Sequence, residues 1–178
     1  MKKLPIALAC IITISLTLFS CKKDSNKSAT SDNYIKGKKD GVAFNFTTNA
    51  MAKITDFSGS SGIISLNLLA NGTALEGFNL GINFANGTTV QTGTFTEDNS
   101  GSDYILAGVY NPNSSTIVYA AGIQSPSAKP LTINILTKTS TEITGTFEGA
   151  FYKEDVSSGT MYPDYTLVTE GEFKLQIK

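Results

Sequence analysis

The sequence predicts an all-β domain: an antiparallel β-sandwich or, as the alternative, a closed or partly open antiparallel β-barrel, with helix only in the signal peptide. Three observations predict it. From Asn33 onward, Gly, Asn, Ser and Thr punctuate short runs of alternating apolar residues. No window of eleven residues in that region holds a helical period. Several of the runs can be set opposite one another so that their apolar residues share a face. Ten or so strands with one apolar face each must bury it against a second sheet or by closing on themselves.

The first segment is of another kind. Met1-Lys2-Lys3 is positive, Leu4 to Leu18 is almost wholly apolar, and Lys22-Lys23-Asp24 is abruptly charged. This is the order of an export signal. The apolar run is about 15 residues, roughly 22 Å as a helix, short of a ~30 Å hydrocarbon core. Leu18-Phe19-Ser20-Cys21 resembles the lipobox of bacterial lipoproteins, with Phe19 departing from the usual small residue. The resemblance implies cleavage after residue 20 and a lipid on Cys21, palmitate included. Residues 1–20 are therefore read as a lipoprotein signal peptide. Residues 21–32 are read as a flexible tether, being small and polar with no large apolar residue after Cys21. Residues 33–178 are read as a single β-domain.

Charge follows the same division. Residues 22–39 hold six Lys and two Asp, a net +4, whereas residues 40–178 hold six Lys and thirteen acids, a net −7. Two readings of the basic stretch stand: lysines lying near anionic headgroups, or a merely solvated linker. Cys10 leaves with the signal and Cys21 is taken by lipid. The mature chain then has no disulfide and no thiolate, and its stability rests on burial.

The hairpins come in chain order. Asp40-Gly41 suits a two-residue turn with positive φ. It sets Lys39 opposite Val42, Gly37 opposite Phe44, and Ile35 opposite Phe46. In the second hairpin, a two-residue Asn71-Gly72 turn puts Phe78 and Leu80 on the wrong face. A five-residue loop over 71–75 instead pairs Leu68 with Phe78, Leu66 with Leu80, and Ile64 with Ile82, and burial selects it. The third joins Leu131, Ile133 and Ile135 to Ile143, Phe147 and Phe151 through a 138–142 loop. Further strands are expected over 51–55, 91–96, 104–110, 116–121 and 166–177. In the last, Phe173, Leu175 and Ile177 point inward. The string Thr-Gly-Thr-Phe occurs at 92–95 and again at 144–147; it reads as plain strand composition or, as the alternative, as the trace of a duplicated half.

The segments KGKKDGVAFNF (36–46), ITGTFEGAFYKED (143–155) and TEGEFKLQI (169–177) resemble small Bacteroidota lipoprotein domains of unknown function. Such domains open on a hairpin around Asp-Gly and close on Ile-x-Gly-Thr-Phe and Gly-x-Phe strands. Phe44 stands where they often have Trp. The resemblance spans about residues 33–178 and implies an all-β envelope lipoprotein. It supplies no catalytic residues.

The chain has no His, and all fourteen of its basic residues are Lys. That removes the usual general base, His-based triads and metal ligands, and bidentate Arg recognition of phosphate. An acidic domain without Arg argues against nucleic acid. Carboxylate pairs are the remaining enzymatic option. Glu142 and Glu148 on one strand lie roughly 20 Å apart. Glu170 and Glu172 lie about 7 Å apart, inside the 5–9.5 Å that glycosidases use, but on a solvated face with nothing to raise one pKa. No catalytic residue, cofactor or metal is therefore expected. Glu97-Asp98-Asn99-Ser100-Gly101-Ser102-Asp103 collects oxygen ligands but lacks EF-hand spacing, and reads as a polar turn.

The segment from Lys153 to Tyr165 reads as a long loop, and long loops are often functional. Tyr162, Asp164 and Tyr165 are its candidate ligand-binding residues: a sugar ring would stack on tyrosine while its hydroxyls donate to the carboxylate. The expected function is a non-enzymatic binding or structural accessory domain, lipid-anchored at the outer membrane. Its partners would be the membrane itself and a glycan or envelope protein. The alternative is a carbohydrate-binding lipoprotein beside a glycan-uptake system.

Overall fold

The structure, a computed structural model, describes residues 33–72, 76–85, 88–97, 103–113, 116–122 and 129–178. The segments read from sequence as signal peptide and tether, Cys21 among them, and most of the 97–103 loop lie outside the described residues. The fold is all-β and antiparallel, as the sequence predicts. The strands are β1 (Tyr34–Lys39), β2 (Val42–Phe46), β3 (Thr48–Phe57), β4 (Ile63–Asn71), β5 (Gly77–Phe84), β6 (Gly93–Thr96), β7 (Tyr104–Asn111), β8 (Ile117–Gly122), β9 (Thr132–Lys138), β10 (Glu142–Asp155) and β11 (Thr160–Gln176).

Of the two forms that the alternation allows, the strands follow the barrel path. One sheet runs β2-β1-β11-β10-β8-β7-β5-β4-β3, with β9 paired to β10 and β6 paired to β9. It is nearly closed. Ala52 of β3 bridges Ile177 in parallel, and the Lys178 amide donates to the Ala52 carbonyl at 2.9 Å. The expected confinement of helix to the signal needs one correction. A single turn, α1 (Ser58–Ser61), links β3 to β4. Asp56 accepts the Ser58 amide at 2.7 Å to start it, and Gly62 at φ 70° stops it.

The interior is filled, as a small barrel requires. Phe78, Phe84, Phe151 and Phe173 are almost wholly buried, as are aliphatic side chains from most strands, among them Ile35, Leu66, Leu80, Ile133 and Leu175. Large rings are accommodated by glycines across the strand pairs. Phe147 of β10 faces Gly171 of β11, and Phe173 of β11 faces Gly145 of β10. A methyl group on either glycine would collide with the opposing ring and with a backbone carbonyl. The two Thr-Gly-Thr-Phe strings take matching places on either side of β9. Gly93 and Gly145 both face Ile135, and Phe95 and Phe147 both face Ile133.

The first hairpin has the expected register, with Asp40 at φ 49° and Gly41 at φ 81°. The second is shifted. Its faces are as expected, but Leu68 pairs with Leu80, Leu66 with Ile82, and Ile64 with Phe84, so the loop runs 72–76. A slip of two residues leaves every side chain on its face, so burial does not distinguish the two registers. In the third, Ile133 faces Phe147 as expected. The loop shortens to 139–141 because the pairing shifts between Thr144 and Gly145, which leaves Leu136 exposed.

Candidate functional site

The described chain starts at Asn33, and β1 then runs six residues to Lys39, roughly 20 Å along a strand. The Asn33 amide group donates to the Ala50 carbonyl at 3.1 Å, and its oxygen accepts from the Gln176 amide at 3.2 Å. This fixes where the chain enters the barrel. The candidate site lies at the other end of β1.

There the Asp40-Gly41 turn is held down by β11. Asp40 accepts from the Leu167 amide at 2.8 Å and the Thr166 hydroxyl at 3.0 Å. The turn aims Lys39, which lies on the apolar face of its strand, across the barrel mouth. Lys39 Nζ reaches Tyr110 Oη at 2.5 Å and lies 4.1 Å from the centre of its ring. Tyr110 Oη donates to Glu76 Oε1 at 3.2 Å. The three residues come from β1, β7 and the segment before β5. Burial pushes the Tyr110 phenol above its ordinary pKa, while the bond from Lys39 opposes that shift.

Beneath this polar rim lies a recess of about 170 Å³, walled by Phe44, Phe46, Phe78 and Tyr110. Phe44 stacks on Phe78, with centroids 5.4 Å apart and planes 6° from parallel. Phe46 and Tyr110 stack at 6.5 Å. An apolar floor with a few convergent polar groups at the mouth of a barrel is the usual form of a small binding site. A second concavity of about 260 Å³ adjoins it along the outer edge of β2 and shares Ala43, Phe44, Phe46 and Glu76 with it.

Tyr162, Asp164 and Tyr165 stand elsewhere, and not on a loop. β10 continues to Asp155, a turn covers 156–159, and β11 begins at Thr160. The reading of 153–165 as a loop is thus corrected to the tip of a long hairpin. Asp155 nucleates the turn: it accepts the Ser157 hydroxyl at 2.6 Å and the Ser157 amide at 2.9 Å, which holds its carboxyl below the usual range. Pro163 sits where the register shifts, with Lys153 on β10 against three residues on β11. Lys153 covers Tyr162, with Nζ 5.1 Å from the ring centre. Tyr165 packs on the buried Tyr152 at 5.4 Å and remains 49% exposed, beside the exposed Asp164. The two tyrosines thus have separate partners.

The carboxylates stay on the outer surface. Glu170 and Glu172 are exposed and pair with Lys38 and Lys36, each at 2.8 Å. Among the described residues no group of three His, Cys, Asp or Glu could hold a metal, and no helix is long and apolar enough to cross a membrane. No protein-family model, curated protein or solved structure matches the chain.

Proposed function

We propose that this chain is a lipid-anchored, non-enzymatic binding domain of the outer membrane, tethered through Cys21 and binding at the barrel mouth. One observation carries the reading: the aromatic recess and its Lys39–Tyr110–Glu76 rim lie at the opposite end of β1 from Asn33, where the tether joins. Twelve residues from Cys21 to Asn33 span at most about 40 Å fully extended. An anchor there leaves the rim free to meet a partner.

The anchor is tested by Cys21→Ser, labelled with palmitate and partitioned in detergent. The variant is expected to take up no label and to leave the detergent phase. Equal labelling of variant and parent would overturn the anchor.

Carbohydrate recognition is the second reading, favoured by the half-exposed Tyr165 ring beside Asp164. A glycan array probed with the chain and with Tyr165→Ala tests it. Glycan binding that Tyr165→Ala removes would support it, and an array without signal would reject it.

A further inference from the structure

The partner class can be read from the free edge of β2. This inference rests on the reading that the mouth is a binding site, but not on the anchor. β2 ends the sheet path, and β1 is its only strand partner among the described residues. The two-residue turn makes Lys39 and Val42 a hydrogen-bonded pair. By the alternation of an antiparallel ladder, the N–H and C=O groups of Val42, Phe44 and Phe46 then point at β1. Those of Ala43 and Asn45 point to the free edge, where both residues are exposed. The 260 Å³ trench runs along that edge, bounded by Thr47, Thr48, Asn71 and Glu76. The aromatic recess lies under the same strand, on its inward side.

We infer that the mouth binds an extended peptide segment, which adds to β2 as a further strand and places one uncharged apolar side chain in the recess. In strand addition, main-chain bonds supply affinity and pockets for alternate side chains supply specificity. A strand beside β2 sends every second side chain inward, toward Phe44, Phe78 and Tyr110. A recess of about 170 Å³ suits one such group, since a cavity of about 150 Å³ holds benzene. Charge complementarity selects the guest. Lys39 and Glu76 flank Tyr110 Oη from two sides, so a guest of either charge meets one like charge, and a neutral guest meets none. A sugar fits less well here. Phe46 and Phe78 are 5% and 2% exposed, and Phe78 already stacks on Phe44. They leave no open ring face.

The probe is a set of fluorescent octapeptides of threonine with one central guest: Val, Leu, Phe, Lys or Glu. Anisotropy is read on the full chain. The apolar guests are expected to bind, and Lys and Glu guests to bind at least about tenfold more weakly. N-methylation of the amides that face β2 in the best peptide should weaken it by about tenfold or more, since it deletes main-chain donors. Ala43→Pro deletes the matching donor on the protein, at an edge position where proline is tolerated, and should have the same effect. The methylated peptide leaves the protein unaltered, so the test stands if that variant fails to fold. Indifference to both changes, or equal binding of charged guests, would overturn the inference. So would a dimer in sedimentation that Ala43→Pro dissociates, because the edge would then serve a second copy. A glycan that perturbs the mouth when every peptide fails overturns the peptide inference alone. If peptides and glycans all fail there, the binding reading falls with it.

Discussion

Phe147→Ala is expected to destabilise the domain by about 3–5 kcal/mol, the range for a truncated buried aromatic, and Glu148→Ala by about 0.5 kcal/mol or less. The two residues are neighbours on β10 and occupy opposite faces. Phe147 is 3% exposed, packs at 5.4 Å on Phe78, and stands between Ile133 and Gly171 on the flanking strands. Its cross-strand partners, a glycine and a β-branched residue, are too small or too stiff to fill the space it would leave. Glu148 points to solvent. Urea melts of both variants measure the difference. Equal effects would mean that the alternation along β10 has been assigned to the wrong faces.

Gly171→Ala should cost about 2–3 kcal/mol, the upper part of the usual range for overpacking, although it adds only a methyl group. A β-carbon at Gly171 collides with the Phe147 carbonyl and ring, and the carbonyl is fixed in the β10–β11 ladder. Gly59→Ala is the control. It makes the same chemical change in α1, where a β-carbon meets nothing within 4 Å, and should shift stability by about 0.5 kcal/mol or less. Thermal melts of the two variants compare them directly. A Gly171→Ala protein as stable as Gly59→Ala would contradict the ring-over-glycine packing.

The legible parts of the fold are those where a local rule had one solution. Asp40-Gly41 admits one tight turn, and the register of β1 and β2 follows from it. In the β4–β5 hairpin, face but not register was legible, because a two-residue slip preserves burial. The tip of the β10–β11 hairpin was hidden by composition. Val156-Ser157-Ser158-Gly159 followed by Pro163 reads as a loop, whereas the long partner strand and a shift of register carry Pro163 within β11. Gly159 at φ 67° marks the turn that Ser-Gly signals. The mouth itself was illegible, since Lys39, Glu76 and Tyr110 are far apart in sequence and each is ordinary alone. One signal was present: the Asp40-Gly41 register puts Lys39 on the same face as Ile35 and opposite the side of Lys36 and Lys38. A lysine on an apolar face needs a partner, and Tyr110 provides it.

Whether the chain is a binding domain held to the membrane by its first mature residue is decided by its intact mass after extraction from an expressing envelope. The expected mass is that of residues 21–178 plus a diacylglycerol on the Cys21 sulfur, with or without an acyl group on the new amino terminus. A chain that retains residues 1–20, or one cut elsewhere with a free Cys21 thiol, would contradict it.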